Sequence, residues 1–156
     1  MRITDAFVGE HAVLYPQLAV VELAAVRYAK VEEAQAHAAL LAGALASHAA
    51  LEEEILFVEM DPLAEAEEHL ALMREEHRDI EGSIDRAAQT PDLGEARDLL
   101  LHVIDVARPH FAKEEDVLFP MAEQAFPEET LLRLGSEWAS RRLGGEVRSG
   151  AAFAGS

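Results

Sequence analysis

Two segments of the chain repeat one pattern of residue types that bind metals. Residues 48–57 read HAALEEEILF and residues 110–119 read HFAKEEDVLF, so both fit H-x-x-x-E-E-[DE]-[IV]-L-F. Residues four apart on a helix lie one turn apart on the same face, so each segment can direct an imidazole and a carboxylate at one point. Imidazole suits iron, zinc and copper, and carboxylates can bridge two harder ions. The two segments therefore predict a metal site with the ligands His48, Glu52, His110 and Glu114.

A weaker repeat supplies two more histidines. Glu10-His11 matches Glu76-His77 at an offset of 66 residues, close to the 62 residues that separate the two longer segments. We therefore expect two related helical hairpins that pack about a pseudo-twofold axis, with His11 and His77 completing the cage. Four imidazoles and two carboxylates able to bridge fit a pair of iron ions. The order of His and Glu differs from the Glu-x-x-His motif of ferritin-type bundles.

The competing interpretation is a helix bundle that binds other proteins and no metal. Acidic residues make up 30 of the 156 positions, so many histidines have a carboxylate four residues away. One H-x-x-x-E motif in such a chain is more often a surface pair than a metal site. Two copies, together with a histidine on each remaining helix, favour a metal site, because burying unpaired His and Glu side chains is costly.

Five helices are predicted to carry these residues, spanning residues 4–28, 31–59, 62–88, 92–124 and 128–143. Thr4 and Asp5 are good N-cap residues for the first helix, which contains Pro16. Asp61 as N-cap and Pro62 at the first helical position begin the third helix. The segment DLGE at 92–95 reads as a capping box that begins the fourth helix.

Short connections make sequential helices antiparallel, which predicts an all-α, up-down-up-down antiparallel four-helix bundle with a short C-terminal helix. One domain is expected over residues 1–143. The glycines at 144 and 145 stop the last helix, and residues 144–156 are rich in Gly, Ala and Ser. This last segment is predicted to be a flexible tail.

Composition excludes several classes of function. The net charge of −17 repels phosphate backbones and anionic lipids, so we expect neither a nucleic-acid nor a membrane partner. The absence of cysteine excludes thiolate zinc sites, iron–sulfur clusters and disulfides. The N-terminus does not read as a signal peptide, and no uncharged apolar run approaches about 18 residues, so a soluble, cytoplasmic protein is expected. The sequence leaves the oligomeric state open.

The order H…HxxxE…H…HxxxE resembles the hemerythrin-like (HHE cation-binding) family over roughly residues 5–125. The resemblance implies a four-helix bundle whose cofactor is two iron ions in an oxo- or hydroxo-bridged, non-haem di-iron centre. It also implies that Glu52 and Glu114 bridge the two ions and that the histidines fill terminal positions. Glu115 is the alternative to Glu114, because some members of the family place the acid five residues after the histidine. The likeness rests on Glu10-His11, His48-x-x-x-Glu52-Glu53, Glu76-His77 and His110-x-x-x-Glu114-Glu115.

One position departs from the oxygen carriers of that family. They have a fifth histidine one turn before the residue that matches His77, where this chain has Met73, a poor ligand for oxidised iron. Glu81 and Tyr15, each four residues after a histidine, are additional candidate ligands. The alternative is that Glu81 is a solvated helix residue and Tyr15 a core tyrosine whose hydroxyl is hydrogen-bonded. Glu53 and Met73 are expected beside the ligands, with Glu53 supporting a histidine as an outer hydrogen-bond acceptor.

These features predict a protein that reacts with dioxygen, peroxide or nitric oxide at a di-iron centre bridged by carboxylates. The missing fifth histidine and the additional Glu81 favour an oxidative or peroxide-decomposing (catalase-like) enzyme. A non-catalytic protein that binds, stores or senses oxygen or iron is the alternative. The sequence identifies no organic substrate.

Overall fold

Seven α-helices build the described part of the chain. A computed structural model describes residues 1–144, and this part contains no strand, which confirms the predicted all-α class. Two π-helical turns, Glu52–Phe57 and Glu114–Leu118, join α2 to α3 and α5 to α6, so that residues 31–60 and 93–125 form two continuous helical segments. The helices are α1 (Ile3–Ala25), α2 (Val31–Leu51), α3 (Val58–Met60), α4 (Glu67–Gln89), α5 (Leu93–Lys113), α6 (Phe119–Ala125) and α7 (Glu128–Leu143).

The third long helix begins later than the sequence predicted. Asp61 and Pro62 were expected at its N-terminus, but they lie in a turn and α4 begins only at Glu67, after a 3₁₀ turn at Ala64–Ala66. Between them Leu63 has extended backbone, with φ −85° and ψ 112°. Leu63 packs against an apolar cluster of the core, and this contact outweighs the local preference of proline to begin a helix.

The N-terminus of α1 also differs from the prediction. The N-cap residue is Arg2, and Asp5 lies in the first turn, where its carboxylate accepts a hydrogen bond from the backbone N–H of Arg2 at 3.1 Å. Thr4 is buried, and its hydroxyl donates to Glu123 at 2.6 Å instead of capping the helix. The helix continues through Pro16 to Ala25.

The N-terminus of α5 forms half of its predicted capping box. The carboxylate of Asp92 accepts a hydrogen bond from the backbone N–H of Glu95 at 2.7 Å, as an N-cap residue should. The side chain of Glu95 does not return to Asp92, because it pairs with Thr90 at 2.5 Å and Arg86 at 2.8 Å.

Two apolar clusters fill the core and leave a layer between them. One cluster joins the segment of α1 after Leu14 to facing segments of α2, α4 and α5. The other joins Ile3 and Phe7 to both π-helical turns, the start of α4, α6 and α7. α1 and α4 each contact both α2 and α5, and α7 packs on α1. This arrangement is consistent with the predicted bundle. The up-down-up-down order of the helices remains a prediction from the short connections.

The last predicted segment, residues 144–156, lies outside the described residues except for Gly144. Gly144 ends α7 with a φ of +69°, in the left-handed region that favours glycine at a helix C-terminus. Within residues 1–144, no helix is both long enough and apolar enough to cross a bilayer.

Candidate metal centre

Six buried polar side chains occupy the layer between the two apolar clusters. They come from four different helical segments, and each is at most 4% exposed. The order of residues along each segment explains this layer. Each segment contributes apolar residues to one cluster before its polar residues and to the other cluster after them. The six are the ligands predicted from the sequence: His11, His48, Glu52, His77, His110 and Glu114.

The six side chains form two groups of four that share two members. In each group one nitrogen or oxygen atom of every residue lies within 4.8 Å of the others. The first group is His11, His48, Glu52 and Glu114, and the second is Glu52, His77, His110 and Glu114. Each group therefore offers two imidazoles and two carboxylates to a single ion, and the two groups meet at the carboxylates.

Each shared carboxylate turns one oxygen toward each group. Oε1 of Glu52 lies 3.3 Å from Nε2 of His48, and Oε2 of Glu52 lies 3.4 Å from Nε2 of His77. Oε2 of Glu114 lies 3.3 Å from Nε2 of His11, and Oε1 of Glu114 lies 3.2 Å from Nε2 of His110. A carboxylate with this orientation can bridge two ions.

Both shared glutamates begin a π-helical turn. Glu52 is the first residue of Glu52–Phe57, and Glu114 is the first residue of Glu114–Leu118. π-helical turns are rare and frequently lie at functional sites, because the wider turn changes the direction in which the following side chains project. The next residues, Glu53 and Glu115, are less buried and reach a neighbouring helix instead of the shared layer.

Four further carboxylates surround the histidines. Each accepts a hydrogen bond from Nδ1 of one histidine, at distances from 2.6 to 2.9 Å. The carboxylate that contacts each histidine comes from the preceding helical segment in chain order. The exception is the histidine of α1, whose carboxylate comes from the last segment, so the four contacts close a ring. We call these carboxylates the outer carboxylates: Glu10 on His48, Glu53 on His77, Glu76 on His110 and Glu115 on His11.

The outer carboxylates prepare the histidines to bind metal. An ionised carboxylate only accepts hydrogen bonds, so its contact fixes a proton on Nδ1 and leaves Nε2 as the metal-binding atom. All four Nε2 atoms face the shared layer. Within the described residues, both oxygens of Glu52, both oxygens of Glu114 and Nε2 of His77 and of His110 are buried without a hydrogen-bond partner. Such orphaned atoms are costly unless an ion satisfies them, so the residues present fit a metal.

The two shared carboxylates differ in acidity. Burial and the neighbouring Glu114 raise the pKa of Glu52 well above its ordinary value of 4.5. Burial acts on Glu114 in the same direction, but the nearby rings of His11 and His110 outweigh it and hold the pKa of Glu114 below its ordinary value. Without metal, this pocket therefore favours one ionised and one protonated carboxyl.

The histidines of the centre also differ in the direction in which their pKa values are shifted. Burial lowers the pKa of His48 and of His77, despite the carboxylates on their Nδ1 atoms. Burial also acts to lower the pKa of His110, but Glu114 and Glu76 outweigh it and raise that pKa. Neutral imidazole is the form that binds metal, so the lowered pKa values of His48 and His77 favour binding, and the raised pKa of His110 opposes it.

A protein family known for binding cations matches most of this chain. The hemerythrin HHE cation-binding domain matches residues 2–122. The chain belongs to this family. The match covers all six buried ligand candidates and ends before α7. Family membership and the buried His/Glu cluster together support metal binding. No curated protein and no solved structure matches the chain.

Two candidate ligands lie outside the groups that can hold an ion. Glu81 is exposed and lines a small cavity beside the histidines, and Tyr15 packs edge-on against the rings of His11 and Phe111. Neither side chain joins the two metal-binding groups of this HHE domain.

The residues expected beside the ligands are found in different surroundings. Glu53 accepts from Nδ1 of His77 at 2.8 Å, the role expected of an outer acceptor. Met73 is buried in the apolar cluster that contains Phe7, one turn before His77. Glu114 belongs to both metal-binding groups, whereas Glu115 contacts Nδ1 of His11.

Sequence reasoning missed the roles of Glu10, Glu76 and Glu115 as outer acceptors. The signal was present, because each is an acid directly next to a candidate ligand, as Glu53 is. Three other histidines lie outside the metal-binding groups: His37, His69 and His102.

Proposed function

We propose that this HHE domain binds two iron ions, bridged by Glu52 and Glu114, and uses them to react with dioxygen, peroxide or nitric oxide. The observation that carries this proposal is the orientation of the two shared carboxylates, each with one oxygen toward each group of histidines. A mixed set of imidazole and carboxylate ligands suits iron. When bound, the iron pair would supply electrons to dioxygen, peroxide or nitric oxide, or accept electrons from them.

The chain's own residues would do three things at such a centre. The outer carboxylates fix the proton on Nδ1 of each histidine and hold the orientation of the ring. The two apolar clusters exclude bulk water on both sides of the polar layer. The shared carboxylates give up their remaining proton when metal enters, so their negative charges compensate the charge of the ions.

A small, partly enclosed cavity supports a small oxidant over an organic substrate. Its volume is about 10 Å³, which is room for one water-sized molecule. Dioxygen, nitric oxide and hydrogen peroxide have only two heavy atoms each, so they need a small further opening of this cavity, whereas an organic substrate would have to displace the packed side chains. The cavity is lined by Leu45, His48, Ala49, His77, Ile80, Glu81, His110 and Phe111.

Two residues near the centre, Met73 and Glu81, favour an enzyme over a carrier. Met73 stands where oxygen carriers of the family have a fifth histidine, so the centre has one nitrogen ligand fewer. Glu81 at the rim of the cavity has a raised pKa, caused by partial burial and by Glu53 and Asp85. A carboxyl group with a raised pKa next to the oxidant can deliver protons during peroxide or oxygen reduction. A protein that binds or senses oxygen is the second candidate, favoured by the small size of this cavity.

Metal counting and visible spectroscopy test the proposal. The protein is purified from iron-supplemented cells, its iron is counted, and its spectrum is recorded in air and after reduction. We expect two irons per chain and near-ultraviolet bands that vanish on reduction. Absence of iron, together with no spectral change on anaerobic loading with iron(II), would overturn the proposal.

Two variants of the cavity test which molecule reacts. Ala49→Val narrows the cavity and should slow the reaction with hydrogen peroxide, whereas Leu45→Ala widens it and should speed the reaction. Both variants should keep the wild-type iron content, because neither residue is a ligand candidate. Equal rates in the three proteins would contradict the assignment of this cavity to the oxidant.

A third variant separates enzyme from carrier. Met73→His restores a nitrogen donor one turn before His77, and Met73→Leu is the control for the loss of methionine. We expect the histidine variant to form a visible spectrum in air that is longer-lived than that of the wild type and bleaches under vacuum. If the wild type already shows such a reversible spectrum and does not consume peroxide, the carrier function is correct.

A further inference from the structure

Two equivalent outer carboxylates, Glu10 in the first half of the repeat and Glu76 in the second, pair with basic residues from different parts of the chain. Glu76, on the second half, pairs with Lys113, which follows its partner His110 by three residues. Subtracting the 62-residue offset of the repeat from 113 gives position 51, which is Leu51, so the first half has no lysine there. Glu10, the equivalent of Glu76, therefore needs a donor from elsewhere.

The C-terminal helix α7 supplies that donor. Arg142 donates from Nε to Oε1 of Glu10 at 2.6 Å and from Nη2 to Oε2 at 2.8 Å, and it also pairs with Ser47. Trp138, one turn earlier on α7, donates from Nε1 to Oε1 of Glu10 at 2.7 Å. The other oxygen of Glu10 lies 2.6 Å from Nδ1 of His48. α7 thus reaches His48 through a single carboxylate.

This contact has no counterpart in the rest of the ring. Within residues 1–144, neither Glu53 nor Glu115 pairs with a lysine or arginine, and Glu76 has a single lysine from its own half. Glu10 is also the outer carboxylate with the least exposed side chain, at 13%. α7 lies beyond the residues that match the HHE domain, so this support is an addition to the matched bundle.

We propose that Arg142 and Trp138 are positioning residues, which hold Glu10 against His48 and thereby set the affinity of the metal site formed by His11, His48, Glu52 and Glu114. This inference rests on the proposed function, because it presumes that the centre binds metal. Bidentate pairing fixes the plane of the Glu10 carboxylate, and the carboxylate fixes the direction of the His48 ring. Freed from Arg142, Glu10 can turn into the groove between α1 and α2 whose wall it forms, and the ring loses its support.

Arg142→Leu tests this role, with Arg141→Leu as the matched control. Arg141 is the preceding residue of α7 and forms ion pairs of its own, with Glu54 and Glu137, which are neither ligand candidates nor outer carboxylates. Metal-free protein is titrated with cobalt(II), and both dissociation constants and the cobalt absorption spectrum are recorded. Loss of an outer hydrogen-bond partner typically weakens metal binding about 10- to 100-fold. Arg142 acts on His48 through Glu10, so we expect a loss at the lower end of this range, about tenfold, for one of the two ions in Arg142→Leu and wild-type values in Arg141→Leu.

Two milder variants keep the test decisive if Arg142→Leu unfolds. Trp138→Phe keeps the ring and removes only the N–H donor, so it should weaken the same ion by a smaller factor. Arg142→Lys keeps the charge and loses the bidentate contact, so its affinity should lie between those of wild type and Arg142→Leu.

The outcomes separate the two proposals. If the wild type takes up no cobalt(II) or iron(II), the proposed function fails. If the wild type binds two ions and both are bound equally well by the folded Arg142→Leu and Trp138→Phe variants, only the role of α7 is overturned. Equal weakening by Arg141→Leu would also overturn it, because the effect would then report the packing of α7 in general.

Discussion

Nε2 of His11 lies 3.0 Å from Nε2 of His48, while Nδ1 of each ring faces a carboxylate of a neighbouring helical segment. If both rings are neutral and carry their protons on Nδ1, two lone pairs point at each other. Such an arrangement is unfavourable in the metal-free protein and becomes favourable when both nitrogens bind one ion. The closeness of the two nitrogens therefore links metal binding to the stability of the fold.

Metal removal should lower the thermal stability of the protein. Each ion stabilises the fold by about 2.7 kcal/mol when its free concentration is 100 times its dissociation constant. Melting curves with chelator, and after reloading with iron(II) under anaerobic conditions, measure this difference. His102→Ala should behave like the wild type, because His102 pairs only with Asp79 at the surface. Identical melting temperatures with and without metal would contradict the prediction.

The adjacent glutamates Glu52 and Glu53 should differ sharply in their effect on metal content. Glu52→Gln changes a residue shared by both metal-binding groups, so we expect loss of both ions. Glu53→Gln changes only the acceptor on His77, so we expect two ions per chain with one bound about tenfold more weakly. Metal analysis of the two isosteric variants gives the comparison. Retention of both ions by Glu52→Gln would show that the shared carboxylate is not a bridge.

The metal-free protein should lose part of its stability as pH rises above 4.5. The pKa of Glu52 in the folded protein is raised above its ordinary value of 4.5. At pH values between 4.5 and this raised pKa, Glu52 keeps its proton in the folded state and has lost it in the unfolded state. By linkage, stability then falls as pH increases through this range. Glu114, whose pKa is lowered, makes its stabilising contribution above pH 4.5 and loses it as pH falls below that value.

Glu52→Gln isolates this contribution from the histidines, which titrate in an overlapping range. The difference in free energy of unfolding between the metal-free wild type and Glu52→Gln is measured by urea denaturation at several pH values. The wild type should become progressively less stable than the variant as pH rises from 4.5. A difference independent of pH would show that Glu52 has an ordinary pKa in the folded protein.

Gly135 should not tolerate a side chain. A Cβ at this buried position of α7 would overlap the backbone oxygen of Met1 and lie 3.1 Å from the carbonyl carbon of Arg2. We expect Gly135→Ala to lower the free energy of unfolding by about 1–3 kcal/mol, the usual cost of overpacking. Gly82→Ala is the control, since a Cβ at this position of α4 meets no atom within 4 Å. It should be stabilising by about 0.5–1 kcal/mol, because alanine loses less backbone entropy in a helix. Urea denaturation of both variants measures these changes.

Local sequence rules predicted most helix boundaries and failed where distant contacts decide. The span Glu128–Leu143 is confirmed, because Pro127 before it and Gly144 after it act through their own backbone preferences. The start of α4 was predicted wrongly at Asp61-Pro62, because Leu63 packs into an apolar cluster and keeps an extended backbone. The π-helical turns at Glu52 and Glu114 were not predicted, since a hydrophobic pattern does not distinguish one turn of π-helix from α-helix.

The sequence by itself determined which residues can meet in the centre. His48 with Glu52, and His110 with Glu114, share a helix face by their spacing alone, and the repeat indicated that two hairpins bring the pairs together. The tertiary structure alone decided which outer carboxylate serves which histidine. Glu10 is adjacent to His11 in sequence but contacts His48, because successive residues point about 100° apart around a helix and so face different neighbours. Arg142 and Glu10 are 132 residues apart, so no local rule links them, and only the packing of α7 on α1 brings them together.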